Sequence, residues 1–311
     1  MPQIVVSEFM DLPAVEAASV DYEVYYDPDL VDQPEKLVSL LADARALVVR
    51  NRTQVDRKLL DAAPNLVVVG RLGVGLDNID MEACRERGIR VCPATGANDA
   101  SVAEWVIASA MVLLRRAFSH QPEVLSGGWP RNKCMGREIA GKILGLVGFG
   151  AIARMTSRMA MAMGMKVAAY DPYVPAEDPA WRDVTRMDSL TSLLAEADAV
   201  SLHVPLTGET RHLIDARALG AMKPDAILLN AARGGVVDEA ALVEALEAGR
   251  LGGAALDVYE TEPLTAASAE RFADLPNVLL TPHIAGVTIE SNQRVSHLTM
   301  ANVRAVLEGK P

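Results

Sequence analysis

Short runs of β-branched and aliphatic residues alternate along this chain with stretches whose apolar positions recur every three or four residues. In the first part the runs are Ile4–Val6, Val24–Tyr26, Ala46–Val49, Leu66–Val69 and Ile89–Val91, with amphipathic patterns such as Glu35–Leu41 and Val55–Leu60 between them. Of these runs, all but the last, which Arg90 interrupts, are apolar at consecutive positions rather than alternate ones, as in strands buried on both faces. Repeated strand–helix units of this kind predict a doubly wound parallel sheet, an α/β fold.

A longer helical pattern begins near Asp99 or Ser101, where Ser101 and Glu104 have the spacing of a capping box. The apolar patch Val102–Leu114 is broken by Glu104 and Ser109, so it fits a buried helix rather than a membrane span. Trp129–Gly136 reads as a loop. A second series of strand–helix units runs from Lys142 to about His283, and Thr288–Leu307 is again helical in pattern. A chain of 311 residues accommodates two domains. The last helix is expected to pack back on the first domain, which would make that domain discontinuous.

Composition narrows the picture. Aromatic residues are only 4%, so aliphatic side chains and Met must fill the cores. The net charge of −11 offers no field for phosphate backbones, which argues against nucleic acid as a partner. Any anionic ligand must therefore meet a local cluster of Arg and Lys. Cys84, Cys92 and Cys134 form no metal-type pair and read as free thiols in a reducing cytoplasm. The N-terminus lacks a basic, then apolar, leader, and no run reaches membrane-span length, so a soluble cytoplasmic protein is expected. No His, Cys and Asp grouping has metal-ligand spacing, and no metal is expected.

Candidate chemistry begins at Gly148-Phe-Gly150-Ala151-Ile152-Ala153, a G-x-G-x-x-A sequence after the run Leu144–Val147 and before a helical pattern. Gly148 permits a tight turn, Gly150 lets backbone approach a pyrophosphate, and Ala153 keeps helix and strand close. The free N–H groups of the helix start then face the anion. The strand Lys166–Tyr170 ends at Asp171, about twenty residues on, where a carboxylate accepts from the ribose hydroxyls of a dinucleotide. The same carboxylate repels a 2′-phosphate, which favours NAD over NADP.

Three further residues each follow a short apolar run: Arg233 in Asn230-Ala-Ala-Arg-Gly-Gly, Glu262 in Asp257-Val-Tyr-Glu-Thr-Glu-Pro, and His283 in Thr281-Pro-His-Ile. A guanidinium can hold a carboxylate in a fork. An imidazole can move a proton near neutral pH, and a carboxylate beside it stabilises its charged form. Together they suit a 2-keto or 2-hydroxy acid. Arg233, Glu262 and His283 are thus the candidate catalytic residues, expected to converge at one edge of a parallel sheet.

These motifs, together with Arg71-Leu-Gly-Val-Gly-Leu-Asp-Asn-Ile-Asp80, resemble the D-isomer-specific 2-hydroxyacid dehydrogenases over nearly the whole chain. The resemblance implies a Rossmann NAD domain at residues 99–284. It implies a flavodoxin-like substrate domain from residues 1–98 and the returning segment 285–311, with the active site between the two. It implies a homodimer built mainly through the NAD domain, with the helix beginning near Ser101 as a contact. It also implies cofactor contacts from Gly148, Gly150, Ala151, Ile152, Asp171, His203, Pro205, Ala231, Asp257 and Gly286, and a substrate carboxylate shared by the backbone of Gly73, Val74 and Gly75.

The basic residues of the first domain bear on the substrate. In the 3-phosphoglycerate dehydrogenase branch, positions matching Arg50, Arg71 and Arg131 surround the substrate phosphate, the last from the partner subunit. An acidic chain with arginines there points to a small 2-hydroxy acid with a second anion, phosphate or sulfonate, since the sulfolactate dehydrogenase branch is similar too. The chain ends at Pro311, and no serine-sensing extension is expected, which weighs against the biosynthetic reading. Hydroxypyruvate or glyoxylate reduction is an alternative. Glu262, in place of a Gln, argues against formate dehydrogenase chemistry. An NAD-sensing corepressor is the competing non-enzymatic class, set against the lack of long tails.

Overall fold

The computed structural model describes residues 2–310. The chain forms two compact units, Met1–Asn98 with Val287–Pro311, and Asp99–Gly286.

The first unit is built on five parallel strands: β1 (Ile4–Val6), β2 (Val24–Tyr26), β3 (Ala46–Val49), β4 (Val68–Arg71) and β5 (Arg90–Pro93), in the order β2-β1-β3-β4-β5. This is the flavodoxin-like order. Successive side chains of β1 enter opposite layers. Val5 joins Leu37, Leu41 and Leu60 on one face, while Ile4 and Val6 join Met10, Val15 and Val303 on the other. Both layers are apolar, which is why the run lacks period-two alternation. The helix Ile289–Leu307 supplies Val295, Met300 and Val303 to the second layer. Thr288 caps it by accepting from Ser291 N (3.0 Å), and Ser291 Oγ returns the bond to Thr288 N (2.8 Å).

The second unit has seven parallel strands: β6 (Ile143–Val147), β7 (Lys166–Tyr170), β8 (Thr185–Arg186), β9 (Ala199–Leu202), β10 (Ile227–Asn230), β11 (Gly253–Leu256) and β12 (Val278–Leu280). Their order is β12-β11-β10-β9-β6-β7-β8. The central strands β9, β10 and β11 are buried throughout, and the edge strand β8 is exposed. The direction of winding reverses between β6 and β9, and ligands of open α/β sheets bind outside the strand ends at such a point. The helix Asp99–Arg115 lays Val106, Ala110 and Leu114 against Leu144, Leu146 and Ile227.

Several local expectations shift. The helix starts at Asp99, and Ser101 is buried within its first turn, so Ser101 and Glu104 do not form a cap. Core-facing apolar positions outweigh the capping pattern there. Leu66 and Ile89 fall outside the strands, which begin at Val68 and Arg90. Val55 makes a parallel bridge with Ile79, and the helix after it covers only Arg57–Asp61.

Gly70 in β4 sets how closely the last helix approaches. A Cβ built there would lie 2.6 Å from Val303 Cγ2 and 2.9 Å from Thr299 Cγ2. Gly70→Ala is therefore expected to overpack this layer and lower stability by about 1–3 kcal/mol. Urea unfolding measures it; an unchanged midpoint would show that the helix yields freely.

Candidate active site

Arg233, Glu262 and His283 lie just beyond the carboxyl ends of β10, β11 and β12, three adjacent strands. Parallel strands deliver their following loops to one edge, so residues far apart in sequence become neighbours. His283 Nδ1 and Glu262 Oε2 are 2.7 Å apart. Burial pushes the Glu262 carboxyl up, but the hydrogen bond and charge of His283, the Tyr259 N–H (3.1 Å to Oε1) and the Arg233 guanidinium outweigh it. The carboxyl is held below its usual range and stays ionised at neutral pH. A carboxylate only accepts, so the proton on Nδ1 points at Glu262 and Nε2 is left to exchange a proton with a ligand.

The His283 backbone has φ of 55°. This left-handed conformation is uncommon for a residue with a side chain and is sustained by its surroundings. Asp257 supplies them. Its carboxylate, 1% exposed, accepts from Thr281 Oγ1 (2.6 Å), Ile284 N (2.8 Å) and Ala285 N (2.8 Å), while its carbonyl accepts from His283 N (2.8 Å). Asp257, expected on the cofactor side, thus binds the segments on both sides of His283.

Sequence reasoning assigned no role to Tyr259. Its hydroxyl lies 3.1 Å from Leu256 O and 2.9 Å from Thr281 O, tying β11 to the His283 turn. Burial pushes this phenol up to about 12, so it remains a donor. In the sequence Asn230 stands out only as the first residue of the Asn230-Ala-Ala-Arg-Gly-Gly motif. Buried, it staples the Arg233 turn, donating to Arg233 O (3.0 Å) and accepting from Ala232 N (3.0 Å). Only an alignment or a structure could have revealed such internal staples.

The glycine turn sits at the switch point. Gly148 has φ of 87°, and a Cβ there would lie 2.6 Å from His203 O. Gly148 and His203 therefore meet at the ends of β6 and β9. Gly150 is the N-cap of the helix Ala151–Ala162, without a side-chain cap and without an acidic residue in the first turn. Nothing lies within 4 Å of a Cβ placed on Gly150. Open space at the helix start and a first turn without an acidic residue fit a pyrophosphate. Ala151 and Ile152 form the first helical positions. Asp171 is fixed by Phe149 N (2.8 Å), Tyr173 N (2.8 Å) and Val174 N (3.2 Å), which fits a ribose contact at the end of β7. Removal from water holds the His203 imidazole at about 4, so it is neutral at physiological pH. Its Nε2 pairs with Ser201 Oγ at 3.0 Å, consistent with a lining rather than a proton-transfer role. Pro205 follows on the same loop after β9, Ala231 begins the turn after β10, and Gly286 closes the unit.

The expected substrate residues divide between the units. Arg50 and Gly73–Gly75 follow β3 and β4, which are adjacent, and Arg71 is the last residue of β4. Arg71 Nη1 donates to Leu72 O (2.8 Å) and folds over Gly73. Gly73 has φ of 140°, which disfavours a side chain, and a Cβ there would also displace the Arg71 guanidinium, whose Nη1 would be 1.7 Å away. Arg131 belongs to the other unit, on an exposed loop with Trp129. Arg52 is closed by an ion pair with Asp32.

The family model for the NAD-binding domain of D-isomer specific 2-hydroxyacid dehydrogenases matches residues 107–285. The chain is 55% identical to an (S)-sulfolactate dehydrogenase of Chromohalobacter salexigens, covering 99% of both chains. It is 40% identical to a D-3-phosphoglycerate dehydrogenase of Methanocaldococcus jannaschii, covering 89% of this chain but only 52% of that relative. Among solved structures it is similar to a D-lactate dehydrogenase of Aquifex aeolicus in complex with NAD and lactic acid. That match has 31% identity and a TM-score of 0.87, and covers 98% of this chain and 95% of that one.

Gly148→Ala should force the turn away from His203 and weaken NADH binding about tenfold or more. Fluorescence titration measures it; undiminished affinity would mean that this turn does not hold the pyrophosphate.

Proposed function

Because the chain belongs to the D-isomer specific 2-hydroxyacid dehydrogenases, a family of NAD-dependent oxidoreductases, we propose that it interconverts (S)-sulfolactate and sulfopyruvate. The observation that carries the reading is 55% identity, end to end, to an enzyme of that name. Its stereochemistry agrees with the family. In sulfolactate the sulfur-bearing carbon outranks the carboxylate, so the S label describes the spatial arrangement of a D-2-hydroxy acid. Arg50 and Arg71, at adjacent strand ends, supply cations for a substrate with two anionic groups.

When bound on the Gly148–Gly150 turn, NADH supplies a hydride for the keto carbon. His283 carries a proton at Nε2 and delivers it to the substrate oxygen; in the oxidising direction neutral Nε2 takes that proton back. Glu262 holds the ring by Nδ1 and stabilises the charged imidazole. Arg233 grips the substrate carboxylate and polarises the neighbouring carbonyl. Backbone N–H groups of Gly73, Val74 and Gly75 share that carboxylate. The proposal includes a homodimer in which Arg131 reaches the partner's substrate. Its compartment is the cytoplasm, consistent with free thiols at Cys84, Cys92 and Cys134. No helix among the described residues is long and apolar enough to cross a membrane.

NADH oxidation with sulfopyruvate, phosphohydroxypyruvate, hydroxypyruvate, glyoxylate and pyruvate tests the substrate. Sulfopyruvate is expected to give the highest kcat/KM. A preference for phosphohydroxypyruvate would move the chain to the phosphoglycerate branch, and equal rates with pyruvate would remove the role of Arg50 and Arg71. His283→Ala should lower kcat about 10²- to 10⁴-fold and leave NADH affinity nearly unchanged; a large loss of NADH binding would make the residue structural.

Glu262→Gln keeps the size of the side chain but removes the anion beside His283 Nδ1. Turnover in keto-acid reduction should fall about tenfold or more, with NADH affinity nearly unchanged. Unchanged turnover in a stopped-flow assay would overturn the pairing.

A further inference from the structure

Glu8 is the residue whose placement the chemistry described so far leaves unexplained. It follows β1, is 4% exposed, and carries a charge that burial alone would make costly. Four consecutive backbone amides converge on it. Oε1 accepts from Arg50 N (2.9 Å) and Thr53 N (3.0 Å), and Oε2 from Asn51 N (3.3 Å) and Arg52 N (3.0 Å). Burial pushes the carboxyl up, but the amides of Thr53, Arg50 and Arg52 outweigh it and hold it below the usual range. Glu8 is thus an internal anion filling a nest of N–H groups of the kind that elsewhere binds a ligand.

The same turn is held from its carbonyl side. Asn78 Nδ2 donates to Thr53 O (2.7 Å) and Arg50 O (3.3 Å), and Ser7 Oγ pairs with Thr53 Oγ1 (2.9 Å). With its amides committed to Glu8, the turn can offer a ligand only side chains. Of its two arginines, Arg52 is closed on Asp32, whereas no carboxylate among the described residues comes within ion-pair distance of Arg50. Arg50 Nη2 donates to Asn292 Oδ1 (3.1 Å), and its guanidinium lies 5.8 Å from the centre of the Phe9 ring. Both supports are neutral; the carboxylate whose charge reaches the guanidinium is Glu8 itself, which lies beneath the turn and is not paired with it. Phe9 is the residue next to Glu8, so a single short segment fixes both the backbone and the side chain of Arg50.

We propose that Glu8 is a positioning residue for substrate selection: its buried carboxylate fixes the Arg50–Thr53 turn and so aims the Arg50 guanidinium at the second anionic group of the substrate. This rests on the role proposed above for Arg50. Glu8 touches no substrate. Its loss should act on the recognition of one substrate group and not on proton or hydride transfer.

The test compares wild type with Glu8→Gln on sulfopyruvate, which has the second anion, and on glyoxylate, which lacks it. The amide keeps the shape but turns an N–H group toward amides it should accept from. KM for sulfopyruvate should rise about tenfold or more, with kcat and the glyoxylate kcat/KM changed by less than about threefold. NADH affinity should be unchanged. If Glu8→Gln does not fold, Glu8→Asp, which keeps the charge and draws it back, should show the same selective loss. Equal losses on both substrates, no loss, or failure of both variants to fold would assign Glu8 to stability alone and overturn the proposal. A wild type without preference for sulfopyruvate over glyoxylate would instead overturn the role of Arg50, and this inference with it.

Discussion

The carboxylate of Asp257 is the contact on which the edge carrying His283 and Glu262 depends. It is almost wholly buried and accepts three hydrogen bonds from the segment containing His283. Buried anions persist only when such donors replace the lost water. Here they also secure the left-handed backbone that aims the His283 ring, a conformation that would relax if the flanking residues were free. Tyr259 ties the same turn to β11 and sends its own N–H to Glu262. The imidazole–carboxylate pair is therefore exposed at its tip and rigid at its base, the condition a proton-transfer group requires if it is to meet a substrate without reorganising.

Parallel strands impose the larger arrangement. In each sheet every carboxyl end lies on one edge, so the loops that follow can gather polar groups without interrupting the apolar layers. The second unit uses β6 and β9 for the glycine turn and His203, and β10, β11 and β12 for Arg233, Glu262 and His283. The first uses β3 and β4 for Arg50, Arg71 and the glycines after them. A chain of net charge −11 thereby gathers Arg50 and Arg71 at the ends of two adjacent strands. Glu8 follows the same pattern: a buried carboxylate beneath the Arg50–Thr53 turn spends its hydrogen bonds on backbone amides and not on the guanidinium.

Much of this was legible in one dimension. The uninterrupted apolar runs named the strands, because burial on both faces leaves no polar alternation to obscure them. Gly148 was legible because its left-handed backbone and its closeness to His203 O leave no room for a side chain, and Gly150 because it completes the same short motif at the helix start. The triad was readable because each member lies directly after a strand, so strand position implied edge position. Boundaries were less so. Ser101 has the spacing of a cap but lies buried within its helix, since packing of Val102 and Val106 outranks a single capping bond. Strands β4 and β5 begin later than the apolar runs suggest, because Leu66 and Ile89 pack into the core from the loops before them.

By itself the sequence determined the α/β class, the glycine turn between β6 and its helix, and the position of Arg233, Glu262 and His283 after three strands, because each depends on spacing within a short segment. Tertiary structure alone decided how those residues are held. Nothing local marks Asp257 as the anchor of His283, Asn230 as the staple of Arg233, or Glu8 as the anion beneath Arg50. Those roles arise from hydrogen bonds between segments that only the folded sheets bring together, and burial is what gives each bond its weight.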